Sequence, residues 1–164
     1  MIDFVAITKE RMKILRNDTK AVEKLEKLSD SKIELNEEVS IECDDSLKLL
    51  SVKEVVKAFG RGFDLEDALN LLDEEYFLQF IEVKDFAGKS RNRMTVLKGR
   101  VIGTGGKTKK MIENFAEVKI SIYGKTIGII GKWDRVVTAK KAIEMILSGS
   151  LHATVYRFLE KQRR

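Results

Sequence analysis

The segment from Lys98 to Lys110 holds the residues whose types and spacing are best suited to chemistry. Its glycines, Gly103, Gly105 and Gly106, can adopt positive φ values and leave no Cβ between the backbone and a ligand. The segment leads into a predicted helix, and the free N–H groups and positive dipole end at a helix start favour an anion. Five cations surround this loop: Lys98, Arg100, Lys107, Lys109 and Lys110. We therefore predict that a phosphate group binds here.

Two familiar nucleotide-binding loops do not fit the spacing. A P-loop has a glycine five positions before the glycine of its Gly-Lys-Thr ending. That position is Val101 before Gly106, and it is Lys119 before the second Gly-Lys-Thr at 124–126. A dinucleotide-binding loop that starts at the first loop glycine needs glycine or alanine at position 108, which is Thr108. A plain turn between two helices remains an alternative, although it would not need the surrounding basic residues.

The charge of the chain is distributed unevenly. Residues 1–80 contain 12 lysines and arginines and 19 carboxylates, whereas residues 81–164 contain 19 and 7, so the net charges are −7 and +12. A half with a charge of +12 suits a polyanionic partner, and nucleic acid is the commonest one. A solvated charged surface, of the kind that thermophile proteins accumulate, is the alternative.

The residues needed for catalysis or metal binding are scarce. The chain has one histidine, His152, expected at the surface at a helix start, and one cysteine, Cys43, so an internal disulfide and a cysteine metal cluster are excluded. We predict no enzyme activity, no metal and no cofactor. Apolar runs fall short of the roughly 18 residues of a membrane span, and the first residues do not resemble a signal peptide. These features predict a cytoplasmic protein without a membrane partner.

An internal repeat divides the chain. Arg11-Met12 precedes the strand-like segment 32–35 as Arg93-Met94 precedes segment 119–122, and the second interval is five residues longer. The additional residues coincide with the glycine loop, and the first glycine of the chain is Gly60. We therefore predict two copies of one unit, of which the first has lost the loop.

Hydrophobic periodicity predicts the same order of elements in both copies: strand, helix, helix, strand, strand, helix, and one further helix. The predicted fold class is α+β, with a three-stranded sheet packed on helices in residues 1–75 and again in residues 76–164. Asp134 and Ser150 are predicted to cap the last two helices. The predicted elements are 2–7, 9–16, 19–28, 32–35, 39–43, 52–59 and 65–72 in the first copy, and 76–83, 91–98, 107–115, 118–123 and 126–130, before the last two helices, in the second.

The loop in this setting resembles that of the type I KH domain. The segment Val101-Ile102-Gly103-x-x-Gly106 lies between two predicted helices, after one strand and before a strand hairpin and a helix. In KH domains the GxxG loop clamps about four nucleotides of a single strand. The resemblance implies the same role here for Gly103 to Gly106. Lys109 departs from the family, whose members commonly have an apolar residue at that place.

Three further segments, 119–126, 142–149 and 155–161, resemble the archaeal and eukaryotic tandem-KH ribosome-biogenesis family called partner of Nob, also known for its link to the ribosomal RNA dimethylase. The resemblance covers almost the whole chain and suggests an archaeal member. It implies a monomer that binds near the 3′ end of small-subunit ribosomal RNA and assists the Nob endonuclease, with other assembly or initiation factors as partners. The alternative is a protein-interaction adaptor that uses the KH fold without sequence-specific RNA binding.

The predicted RNA-binding residues comprise the loop, its cations and nearby groove residues. Tyr123 is assigned either to hairpin packing or to RNA contact. Trp133, outside this set, is expected to pack on the following helix rather than to stack on a base. The set is Lys98, Arg100, Ile102, Gly103, Thr104, Gly105, Gly106, Lys107, Lys109, Lys110, Ile120 and Tyr123.

Overall fold

The computed structural model describes residues 1–163, which form two compact units, Met1–Tyr76 and the residues from Phe77 onward. Each unit has one three-stranded sheet packed on helices, so the α+β prediction is confirmed. Among the described residues, none of the helices has both the length and the apolar character needed to cross a membrane.

The first unit contains three strands and four helices. Its sheet has the order β1-β3-β2, and β3 pairs with both neighbours in antiparallel register, so that Val39 lies opposite both Val5 and Leu35. A 3-10 turn, 69–72, follows the last helix. The elements are β1 (Ile2–Val5), α1 (Lys9–Asn17), α2 (Thr19–Ser29), β2 (Lys32–Leu35), β3 (Val39–Glu42), α3 (Ser46–Gly60) and α4 (Leu65–Ala68).

The second unit repeats this order with one additional short helix after its first strand. Its sheet has the order β4-β6-β5, and β5 and β6 form an antiparallel hairpin closed at Tyr123 and Thr126. A 3-10 turn, 104–106, lies between its second and third helices. The elements are β4 (Tyr76–Glu82), α5 (Lys84–Ala87), α6 (Arg91–Ile102), α7 (Lys107–Ala116), β5 (Lys119–Tyr123), β6 (Thr126–Lys132), α8 (Trp133–Leu147) and α9 (His152–Arg163).

The core of the second unit fills the space between the sheet and the helices. Strand β6 is buried from Thr126 to Gly131, and its Ile127 and Ile129 pack against the helices. Helix α8 contributes Ala139, Ala142, Ile143 and Ile146, each fully buried. Burial of such aliphatic side chains is the main force that holds sheet and helices together.

The repeat is visible in individual contacts. The Glu26 carboxylate of α2 accepts a hydrogen bond from Ile33 N at 3.0 Å, and Glu113 of α7 accepts one from Ile120 N at 2.9 Å. The residue directly after each of these helices, Asp30 after α2 and Glu117 after α7, has a positive φ of 52° and 55°, respectively. Each residue of the second unit named here lies 87 positions after its equivalent in the first unit, so the two units share the same backbone arrangement.

Some predicted boundaries were wrong, and hydrogen bonds explain where the helices begin. Helix α3 begins at Ser46 rather than 52 because Asp45 accepts from the backbone N–H groups of the first turn. Helix α8 begins at Trp133, so Asp134 lies inside its first turn and is not its N-cap. Helix α9 begins at His152, two residues after Ser150, which therefore does not cap it. Helix α5 was not predicted.

We expect Glu113→Ala to lower the free energy of unfolding of the second unit by about 1 kcal/mol, because the edge-strand N–H of Ile120 loses its acceptor. Glu113→Gln keeps a carbonyl oxygen at the same position and should lose less. Urea unfolding followed by the fluorescence of Trp133, the only tryptophan, reports on this unit. Equal stability of the Ala variant and the wild type would contradict the structural role of this contact.

Candidate nucleic-acid interface

The glycine loop has a backbone that requires glycine. Gly103 has φ 76° and ψ 171°, Gly105 has φ 62° and ψ 21°, and Gly106 has φ 78° and ψ 13°. A Cβ added at Gly103 would collide with the side chain of Thr108, whereas at Gly105 and Gly106 it would meet no atom within 4 Å. The first glycine therefore allows the loop to pack tightly on α7, and the other two leave an open face.

Helix α7 starts from this open face without a side-chain cap. Its N-cap is Gly106, and no side chain accepts a hydrogen bond from the N–H groups of its first turn. By contrast, Thr8, Asp18, Asp45 and Ser90 cap α1, α2, α3 and α6 with their side-chain oxygens. The N–H groups and positive dipole end of α7 are therefore available to an anion.

The five predicted cations differ in how free they are. Lys107 and Lys110 are exposed, and neither forms an ion pair within the described residues. Lys109 is half-buried. The Lys98 ammonium donates to the Gly124 carbonyl at 2.9 Å, so this side chain links α6 to the β5–β6 turn. The free positive charge is therefore concentrated on the first turn of α7.

Arg100 forms two hydrogen bonds with distant backbone carbonyls. Its guanidinium donates to the carbonyl of Ile146 at 2.9 Å and to that of Ser150 at 2.7 Å. The side chain is half-buried and ties the last turn of α6 to the segment between α8 and α9. Two of its guanidinium nitrogens thus already donate to backbone carbonyls, and a phosphate contact by Arg100 stays a prediction.

The predicted apolar and aromatic residues also separate. Ile120 is only 4% exposed and lies in the core, and its contact with RNA stays a prediction. Ile102 is 37% exposed at the start of the loop, next to the exposed Thr104. Tyr123, at the end of β5, is half-buried. Trp133 is 56% exposed and packs edge-on against Phe77, with ring centroids 5.4 Å apart.

Sequence reasoning missed two hydrogen bonds beside the loop. The hydroxyls of Thr108 and Tyr156 share a hydrogen bond of 3.0 Å, and His152 Nε2 lies 2.9 Å from the carbonyl oxygen of Arg100. Neither hydrogen bond has a local sequence signal, because the partners are 48 and 52 residues apart.

In the first unit a carboxylate of the chain itself occupies the equivalent helix start, that of α2. Helix α1 ends at Asn17 and α2 begins at Thr19, so a single residue, Asp18, replaces the loop. The Asp18 carboxylate accepts from Ala21 N at 3.1 Å. A built-in negative charge thus occupies the helix start that an external anion would need.

Comparison with known proteins agrees with this geometry. Residues 77–164 match the family model for the eukaryotic type KH domain, KH-domain type I, in its second-domain PNO1 form. A KH domain-containing protein of Methanocaldococcus jannaschii is 37% identical over 169 residues, which cover 99% of this chain and 74% of that protein. The pre-rRNA-processing protein pno1 of Schizosaccharomyces pombe is 34% identical over 102 residues, or 62% of this chain and 42% of that protein.

A solved structure is also similar over almost the whole chain. A chain in the crystal structure of the a/eIF2alpha-aDim2p-rRNA complex from Pyrococcus horikoshii has a TM-score of 0.88 and 35% identity, and the match covers 99% of this chain and 94% of that one. The present chain spans half or less of the length of the eukaryotic relatives that it matches.

We expect Arg100→Ala to lower the free energy of unfolding of the second unit by about 2 kcal/mol, because two backbone carbonyls lose a charged donor. Arg93→Ala, which removes an exposed arginine from the same helix, is the matched control and should change little. Thermal unfolding followed by Trp133 fluorescence measures both. Similar midpoints for the two variants would show that the Arg100 contacts do not stabilise this unit.

Proposed function

This chain belongs to the partner-of-Nob (Pno1/Dim2) family of KH-domain proteins, and on that premise we propose that its second unit binds single-stranded ribosomal RNA during assembly of the small ribosomal subunit. Its eukaryotic relatives include the RNA-binding protein pno1 of Drosophila pseudoobscura and the pre-rRNA-processing proteins pno1 of Schizosaccharomyces pombe and Aspergillus fumigatus. The proposed binding site is the face formed by the GxxG loop, the first turn of α7 and strand β5.

The observation that carries the proposal is the contrast between the two helix starts. In the second unit the uncapped start of α7 follows two glycines with open space and bears the exposed Lys107 and Lys110. In the first unit the start of α2 holds its own carboxylate, Asp18. Because the first unit also carries the −7 share of the charge, we propose that residues 77–164 bind RNA and that residues 1–76 support them or bind a protein.

The finer features of the proposal follow the family. We propose that the RNA is the 3′ region of small-subunit ribosomal RNA, that a Nob-type endonuclease matures that end with the help of this protein, and that the protein acts as a monomer in the cytoplasm. The endonuclease would supply the chemistry, and this chain is proposed to be a binding factor and not an enzyme. The similar chain from Pyrococcus horikoshii comes from a complex that includes a/eIF2alpha as well as rRNA, which supports a protein partner in addition to RNA.

We expect the double variant Gly105→Asp with Gly106→Asp to lose RNA affinity by at least about tenfold, because two carboxylates in the open space would repel the phosphates at a cost of several kcal/mol. Filter binding to a short unstructured RNA measures the affinity, and circular dichroism checks the fold. The matched control is Gly105→Asn with Gly106→Asn, which has the same shape and backbone strain without charge and should keep more of the affinity. Full affinity in a folded Asp variant would show that the loop does not contact the RNA.

We also expect strong salt dependence together with a preference for single-stranded over duplex RNA of the same length. Each neutralised phosphate should contribute about 0.7 to the slope of log affinity against log salt concentration, and the KH groove needs unstacked bases that a duplex hides. Lys110→Gln should reduce the slope by about 0.7 and leave the strand preference intact. A fluorescence titration of one labelled oligonucleotide, free and annealed, tests both. Equal affinity for the two forms would indicate a featureless basic surface instead.

A further inference from the structure

Helix α9 contacts both ends of the GxxG loop. On the side where the chain enters the loop, His152 Nε2 lies 2.9 Å from the carbonyl oxygen of Arg100. Since that carbonyl can only accept, Nε2 carries the proton and donates it. On the side where the chain leaves the loop, the Tyr156 hydroxyl shares a hydrogen bond of 3.0 Å with Thr108. The two rings stack with centroids 6.2 Å apart and planes at 18°.

Thr108 connects this helix to the loop itself. Its side chain is 3% exposed and lies directly against Gly103, where a Cβ would collide with it. The hydroxyl that touches the loop backbone is therefore the same one that Tyr156 holds. His152, Tyr156 and Thr108 form a polar support beneath the loop, and none of them is among the groups proposed to contact RNA.

The first unit provides an internal comparison in which the loop is missing. The residues 87 positions before Thr108, His152 and Tyr156 are Ala21, Leu65 and Leu69, none of which has a polar side chain. There these three residues line an open groove of about 570 Å³. Other paired features are kept in both units, including the carboxylates of Glu26 and Glu113. The polar support is therefore absent from the unit without the loop, whereas contacts that serve the common fold persist.

We propose that Tyr156 and His152 are positioning residues that hold the GxxG loop in its RNA-binding conformation through Thr108 and the Arg100 carbonyl. This inference rests on the function proposed above. A segment with three positive-φ glycines has many accessible conformations, and ordering it on binding costs entropy. Anchoring both ends to a helix that is itself packed on α7 and α8 restricts the loop before RNA arrives, so less affinity is lost to ordering.

The test compares variants of the full chain that each remove one hydroxyl. Tyr156→Phe and Thr108→Val should each weaken binding to a short single-stranded RNA by about three- to tenfold, the equivalent of one hydrogen bond. The double variant should be no weaker than the worse single variant, because both changes break the same bond. Tyr76→Phe removes a tyrosine hydroxyl at the edge of the unit and is the matched control, with unchanged affinity expected.

Three further measurements separate positioning from general stability. The salt slope of Tyr156→Phe should equal that of the wild type, because the lysines of α7 remain. Amide hydrogen exchange at Gly103, Gly105 and Gly106 should accelerate, while exchange in β6 and α8 should not. His152→Gln, which keeps a donor, should bind RNA more tightly than His152→Ala.

Three outcomes would overturn the inference. The first is wild-type affinity in folded Tyr156→Phe and Thr108→Val variants. The second is a loss of affinity that follows a uniform rise in exchange across the whole unit. The third is unchanged exchange at the loop glycines. If the wild-type protein itself does not bind RNA, the proposed function fails, and the exchange measurements still decide whether the support orders the loop.

Discussion

In each unit an arginine on a helix between the first and second strands donates to the carbonyls at the end of the unit's longest helix. In the first unit Arg11 donates to Phe59 O and Phe63 O, both at 2.8 Å. In the second unit Arg100 donates to Ile146 O and Ser150 O, which are the equivalent carbonyls 87 positions later. The acceptor carbonyls occupy equivalent positions in the two units, whereas the two arginines do not. Arg11 lies in the first turn of α1, whereas Arg100 lies in the last turn of α6, directly before the loop. In the second unit this contact therefore links the segment after α8 to the helix turn that precedes the loop.

The two units show how one fold can keep or lose an anion site. The backbone N–H groups in the first turn of α2, and of its counterpart α7, need a hydrogen-bond acceptor. The two units differ in what supplies that acceptor. Asp18 supplies it within the first unit, and this choice agrees with the acidic character of that half. In the second unit the acceptor must come from outside the chain, because the residues that precede α7 are glycines. The unit that depends on an external acceptor is also the unit with the charge to attract one.

A rigid scaffold is what the proposed RNA site requires. The isoleucines of β6 and the alanines and isoleucines of α8 are fully buried, and close packing of this kind resists deformation. The loop lacks such packing on its open face, and three of its four residues are glycines with positive φ. Its geometry therefore depends on contacts outside the loop, and α9 supplies them at both ends. Helix α9, which follows the KH fold, is thus proposed to position the loop.

The sequence by itself determined the α+β class, the two-unit repeat and the family, because these depend on periodicity, on glycine spacing and on segments that can be compared one position at a time. The open backbone of Gly105 and Gly106 follows from glycine itself. What only the tertiary structure decided is which charged and polar side chains are free. Lys98 and Arg100 looked equivalent to Lys107 and Lys110 as cations, yet Arg100 bonds to carbonyls 46 and 50 residues away. Thr108 and Tyr156 meet across 48 residues. A hydrogen bond over such a separation has no local signature, because its partner is set by how helices pack and not by the residues around it.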